Sequence, residues 1–159
     1  GGYNRTMKIY IATDHAGYDM KEALASYIEK ELGYTVADMG AHQNDPADDY
    51  PDFIQLAAQE VSHDPSSARG VILGGSGQGE AIVANRFPNV RAVVYYGGNM
   101  DIIKLSREHN NANVLSLGAR FVSLEEAKEA VKLWLETSFS EEERHMRRIK
   151  KVEQIWPYR

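Results

Sequence analysis

Hydrophobic positions along the chain follow two alternating rhythms. Short apolar runs recur at Met7–Thr13 (M-K-I-Y-I-A-T), Thr35–Asp38, Gly70–Leu73, Arg91–Tyr95 and Val114–Leu117. Runs this short and this apolar predict strands covered on both faces. Between them the spacing changes to three and four. Met20, Ala23, Leu24, Tyr27 and Ile28 fall at i, i+3, i+4, i+7 and i+8, which predicts a helix packing one face on a sheet until Gly33 stops it. Asp52–Val61 predicts a second helix through Phe53, Leu56, Ala57 and Val61. A third can open at Ala81–Asn85, and a fourth runs from about Asn99 to Glu108. Ser123-Leu124-Glu125-Glu126 is a capping-box pattern opening a helix to about Thr137. Ser140-Glu141-Glu142-Glu143 has the same form and predicts a last helix towards Ile155. Gly40–Asp49 is polar and carries a proline, so it reads as a loop.

Strands alternating with helices predict a three-layer α/β domain with a mainly parallel sheet. The 159 residues fit one domain. At 43% hydrophobic and 26% charged, the composition is that of an ordinary globular chain able to bury a core. A net charge of −5 gives no basic field for nucleic acid or a membrane surface. No apolar run is long enough to span a bilayer, and no signal-peptide pattern is present. A cytoplasmic protein is the default expectation. Zero cysteines remove disulfides, thiolate zinc sites and thiol nucleophiles. Gly1 to Thr6 reads as a remnant of an appended tag, with Met7 as the native start.

The richest segment is Gly74-Gly75-Ser76-Gly77-Gln78-Gly79-Glu80. It follows the apolar run Val71-Ile72-Leu73 and precedes a helical pattern. Strand, Gly-rich turn and helix together present backbone N–H groups to an anion. Ser76 adds a hydroxyl, and Glu80 puts a carboxylate at the helix start. A carboxylate beside an anion-stabilising loop suits proton abstraction next to a carbonyl. The run lacks the Lys-Ser/Thr ending of a nucleotide loop, and it sits on a middle strand. A tight turn with Glu80 favouring the helix dipole explains it as well.

In parallel sheets ligands bind beyond the C-terminal strand ends. The loops expected there are Asp14–Gly17, Gly74–Glu80 and the stretch after Tyr96. Asp14 and His15 are an acid/base or phosphate-contact pair, or else a helix cap beside a solvent histidine. Ser106-Arg107-Glu108-His109-Asn110-Asn111-Ala112-Asn113 offers His109 as a general acid or base. The same run reads well as a helix C-terminus. Arg120 follows the fifth strand as a ligand contact or a surface ion pair. Arg144 and Arg148 are four apart on the last helix and share a face with His145 adjacent, which suits a phosphate dianion. A solvated basic stretch balancing Glu141–Glu143 is the plainer alternative.

Taken together, these segments resemble the type B ribose-5-phosphate isomerase family, which also contains bacterial galactose-6-phosphate isomerases. The matching pieces are A-T-D-H-A-G (Ala12–Gly17), D-Y-P-D (Asp49–Asp52), G-G-S-G-Q-G-E-A-I (Gly74–Ile82), A-N-R (Ala84–Arg86), S-R-E-H-N-N-A-N-V (Ser106–Val114), L-G-A-R (Leu117–Arg120) and R-H-M-R-R (Arg144–Arg148). They occur in family order across about Met7 to Ile149. Many members carry a proton-abstracting Cys at the first loop position, which here is Gly74. A second branch has Gly there and uses a Glu at the end of the loop, and Glu80 matches it.

The resemblance implies a Rossmann-like fold with five parallel strands, residues 7–159 forming one sugar-phosphate isomerase domain. It implies a homodimer, or a higher oligomer, with shared active sites. Asp14, His15 and the Gly loop would come from one chain, and His109, Asn110 and Arg120 from the other. The implied reaction is aldose–ketose isomerisation through a cis-enediolate, on ribose 5-phosphate or on a hexose 6-phosphate of the allose or galactose type. Glu80 would move the carbon-bound proton. Gly75, Ser76, Gly77, Gln78 and Gly79 would hold the enediolate oxygen. His109 would open the furanose with help from Asp14, while His15, Arg120, Arg144 and Arg148 would hold the phosphate. Neither metal nor cofactor is expected, because backbone donors take the Lewis acid's part. The competing expectations are a non-catalytic sugar-phosphate-binding homologue and a nucleotide-binding flavodoxin-like domain.

Overall fold

The computed structural model describes residues 6–155; the expected tag remnant lies outside them apart from Thr6. Five strands form, β1 (Lys8–Thr13), β2 (Thr35–Asp38), β3 (Ala68–Gly74), β4 (Ala92–Tyr95) and β5 (Val114–Gly118). All pair in parallel, in the order β2-β1-β3-β5-β4. The strand runs thus become a single Rossmann-like sheet. The last strand made lies inside the sheet, between β3 and β4.

Alternation along the strands divides the core in two. Ile9, Ile11, Val71, Leu73, Leu115 and Leu117 face one side, where they meet α1 (Tyr18–Ser26), α4 (Asp101–Glu108) and α5 (Leu124–Glu136). Trp134 on α5 is fully buried there. Ala12, Ile72 and Val114 face the other side, against α2 (Tyr50–His63) and α3 (Gln78–Ala84). A period of two in strands sandwiched by helices produces this split directly. Truncating one of these leucines or isoleucines to Ala costs about 2–5 kcal/mol in such packing.

Three boundaries differ from the sequence pattern. Helix α1 passes into a wider turn over Tyr27–Glu31 before Gly33, at φ +84, ends it. The helix after the Gly loop opens at Gln78 rather than at Ala81. The second expected capping box does not form, whereas Ser123 and Glu126 make theirs. Glu141 takes φ +59, which breaks helical geometry after Ser140, and α6 runs over Glu143–Ile155 instead. The Ser140 hydroxyl accepts the Glu142 N–H at 3.4 Å.

The chain leaves β1 for β2 on one side and returns to β3 on the other. The connections after β1 and β3 therefore leave towards opposite faces of the sheet, α1 on one and α3 on the other, which opens a crevice at that switch point. Asp14 and Gly75 begin the two loops that border it.

Candidate active site

Glu80 lies in the first turn of α3, above the end of β3, and is 4% exposed. A Cβ placed on Gly74 would overlap its carboxylate group. The carboxylate thus fills the space that any side chain at the end of β3 would take. Burial pushes the Glu80 carboxyl above its ordinary 4.5, and the Asp14 charge adds to the rise; N–H groups of Glu80 and Gly77 pull against it. A carboxylate so placed is a stronger base than one in water.

The loop between Gly74 and Glu80 is set by β5. Ala119 N–H donates to Gly74 C=O at 2.8 Å, and Arg120 N–H to Gly75 C=O at 3.1 Å. Ser116 Oγ donates to Gly77 C=O at 2.7 Å from beneath. Gly77 itself has φ +80, and a Cβ there would crowd the Leu117 carbonyl, so glycine is favoured. Gly75, Ser76 and Gly79 border the cleft; exposed Gln78 instead faces a neighbouring depression beside Ile82 and Arg86. The Ser76 hydroxyl accepts the Gln78 N–H at 3.3 Å.

The cleft, about 510 Å³, is lined also by Asp14, His15, Tyr50, Glu80, Arg120 and Phe121. Asp14 is buried and caps the short turn after β1, accepting the Ala16 N–H at 3.0 Å. The capping geometry expected of Asp14 is thus present, and the same side chain lines the cleft. His15 Nδ1 stands 2.7 Å from Asp48 Oδ1, and its backbone N–H donates to the same oxygen at 3.2 Å. Asp48 raises the His15 pKa, burial opposes, Asp14 adds to the rise and Arg120 lowers it. Asp14, His15 and Asp48 bring one donor atom each within 4.8 Å of one another. At 2.7 Å the His15–Asp48 pair is directly hydrogen-bonded.

Arg120 is corrected by this geometry. The β3–β5 register pairs Gly74 with Gly118, which sets Arg120 beside Gly75 of its own chain. It shares the cleft with Glu80 without help from another copy. Tyr50, Phe121 and Asp48 are the site residues that motif reasoning left out of the catalytic set. Tyr50 was within reach as part of D-Y-P-D next to the loop. Tyr96, in the unmatched Tyr96-Gly97-Gly98, packs edge-on against Phe121 at 6.3 Å.

The remaining candidates lie elsewhere. His109 is the C-cap of α4, and Asn110 lies in a groove beside Arg91, Val93 and Ile149. Both precede β5, whereas the Gly loop adjoins its far end. Five strand residues separate the two ends by roughly 15 Å at about 3.3 Å each. The His109 ring stacks on His145 of α6 at 4.4 Å and 13°. Burial first, then His109, lowers the His145 pKa. Arg144 and Arg148 flank it on the exposed side of α6, Arg144 paired with Glu142 at 2.7 Å. Buried Arg107 holds this end together, donating to Thr137 C=O, Asn111 Oδ1 and Ala112 C=O at 3.0, 2.9 and 2.7 Å. Burial lowers the Arg107 pKa to about 9.

Comparison with known proteins matches residues 9–152 to the family described as Ribose/Galactose Isomerase. Ribose-5-phosphate isomerase B of Mycobacterium tuberculosis is 39% identical over 143 residues, 90% of this chain and 86% of its own. The crystal structure of ribose-5-phosphate isomerase B from Mycoplasma genitalium with bound ribulose-5-phosphate superposes with a TM-score of 0.89 at 33% identity, covering 96% of this chain and 97% of that one. The enzyme from Clostridium thermocellum gives 0.86 at 41% identity, with 94% and 97% covered.

Proposed function

Since the chain belongs to the ribose/galactose isomerase family, we propose that it interconverts ribose 5-phosphate and ribulose 5-phosphate, with Glu80 as the base. The observation that carries this reading is the buried Glu80 carboxylate in the space above Gly74, beside a loop of backbone donors. The open-chain aldose places C2–H against Glu80. The carboxylate takes that proton, and the C–H electron pair forms the C1–C2 double bond of the enediolate. Charge builds on the oxygen at C1, where N–H groups of Gly75, Ser76 and Gly79 and the Ser76 hydroxyl offset it. The C2 hydroxyl proton then passes to the C1 oxygen, Glu80 returns its proton to C1, and the C2 oxygen becomes the ketone. Asp14 assists at the sugar oxygens, and His15 and Arg120 attract the phosphate.

The ring-opening acid and the other phosphate cations belong to a second copy. One chain holds His109, Arg144 and Arg148 at the opposite end of the sheet from Glu80, so a homodimer with shared sites completes the set. Support comes from the surface: α6 buries only His145, while Ile82, Tyr96, Phe121 and Met146 are exposed and β4 is an open edge. Among the described residues no helix is long and apolar enough to cross a membrane. A cytoplasmic enzyme acting on a free phosphorylated sugar fits this description.

Incubation with ribose 5-phosphate in D2O tests the reading. Deuterium should enter at C2 of recovered substrate, and ribulose 5-phosphate should form. Tight binding without exchange would favour the non-catalytic homologue. Faster turnover of allose 6-phosphate or galactose 6-phosphate would move the substrate to a hexose phosphate.

A further inference from the structure

We propose that Asp48 is a positioning residue for substrate binding: it holds the His15 ring by Nδ1, so that Nε2 is left to face the anionic end of the substrate in the cleft. This rests on His15 being a substrate contact, as proposed above.

The geometry is specific. Asp48 Oδ1 receives both the His15 backbone N–H at 3.2 Å and the ring Nδ1 at 2.7 Å, which fixes main chain and side chain at once. The Asp48 side chain is only 8% exposed, and its Oδ2 is buried with no hydrogen-bond partner. A buried carboxylate with one bare oxygen is costly unless a cation compensates it. Its one ion-pair partner among the described residues is His15.

The loop that delivers Asp48 is anchored at its base. Fully buried Lys21 donates to both Asp38 oxygens at 2.9 and 2.8 Å and to Ala41 C=O at 2.6 Å. The charged groups around His15 are Asp14 before it, Asp48 from the loop, Arg120 after β5 and Asp19 of α1 in the adjoining depression. A neutral ring held by Asp48 carries its proton on Nδ1 and turns a lone pair on Nε2 towards the anion. A protonated ring turns a donor there. The Asp48 contact favours the protonated form, and the rise in the His15 pKa has it as its largest cause.

Asp48→Asn keeps the shape and removes the charge. NMR titration of the His15 ring should show its midpoint falling in this variant. At a pH between the wild-type and variant midpoints, KM for ribose 5-phosphate should rise about tenfold with kcat within about twofold, as expected when one charged hydrogen bond to the ground state is weakened. The KM difference should shrink as pH falls below both midpoints, where His15 is protonated in each protein. In a His15→Ala background the same substitution should change KM no further. An unmoved midpoint, or an equal KM rise in the His15→Ala background, overturns the proposal. The wild-type protein supplies an independent check if the variant does not fold. Sulfate, a dianion across this range, should lose affinity as a competitive inhibitor as pH rises through the His15 midpoint; an affinity indifferent to that midpoint overturns the proposal. His15→Ala alone separates the two levels. An unchanged KM removes the substrate contact and the proposal with it. A raised KM beside an unmoved titration in Asp48→Asn removes only the proposal.

Discussion

At the C-terminal end of the sheet, Glu80 is buried, its loop is hydrogen-bonded to β5, and Asp14 and Arg120 close in from the same chain. At the N-terminal end, His109 is half-buried against His145, and Arg144 and Arg148 stand on an exposed helix face. The first region is finished within one protomer. The second has chemistry-bearing groups but no crevice of its own that contains a base. On the proposed reading the first region does the carbon chemistry, while the second depends on assembly with another copy for its position. Four experiments can break or sharpen this contrast.

The largest effect belongs to the finished half. Glu80→Gln keeps shape and polarity but cannot accept a proton, so kcat should fall roughly a thousandfold, within the range of about 10²–10⁴ for a general base. KM should change little. Near-normal turnover in this variant would falsify the assignment of Glu80.

The unfinished half is tested by mixing. Glu80→Gln and His109→Ala should each be inactive alone. With random subunit exchange about half the dimers are mixed, and each mixed dimer has one intact site, so roughly a quarter of wild-type activity should return. If exchange is verified and nothing returns, Glu80 and His109 do not meet across an interface.

A smaller effect is expected from Arg148→Ala. Loss of a charge-assisted hydrogen bond should raise KM for ribose 5-phosphate about tenfold and erase most of the preference over free ribose. If that preference survives intact, the phosphate is held by His15 and Arg120 alone.

The smallest effect concerns stability. The folded Glu80 pKa lies above its unfolded value near 4.5. Its contribution to stability is fully present below the unfolded value and is lost as pH rises through the folded one. At pH 7 the ionised group therefore burdens the fold, and Glu80→Gln should melt slightly higher than wild type. Below pH 4 the two should converge. A lower melting temperature at pH 7 would mean that the loop donors stabilise the carboxylate more than burial penalises it. The same rise moves the acid limb of kcat/KM above the ordinary carboxylate range.

Much of the finished half was legible in the linear pattern. Val71–Leu73 is apolar enough to demand a buried strand, and the glycines after it demand a turn that ends on Glu80. Strand order was not legible, because Ala92–Tyr95 and Val114–Leu117 are equally apolar and either could lie beside β3. Without that order the placement of Arg120 across an interface rested on the resemblance, whereas the Gly74–Gly118 pairing puts it next to Gly75. Asp48 was hidden for another reason. Asp45, Asp48, Asp49 and Asp52 crowd one irregular stretch, and no periodicity says which carboxylate turns inward. The start of α6 was misplaced because Ser140–Glu143 has capping-box letters, while the backbone at Glu141 takes the left-handed region.

The interior position of β5 also governs when activity can arise during synthesis. As the chain leaves the ribosome, β1, β2 and β3 can pair first, and β4 emerges with no neighbour. Only when residues beyond Arg120 are free can β5 slide between β3 and β4 and supply the donors that shape the loop under Glu80. Until then β3 presents a bare edge, the condition in which nascent chains associate wrongly. The strand that completes the base's surroundings is also the strand that shields this edge, so a chain stalled before β5 is both inactive and exposed to aggregation.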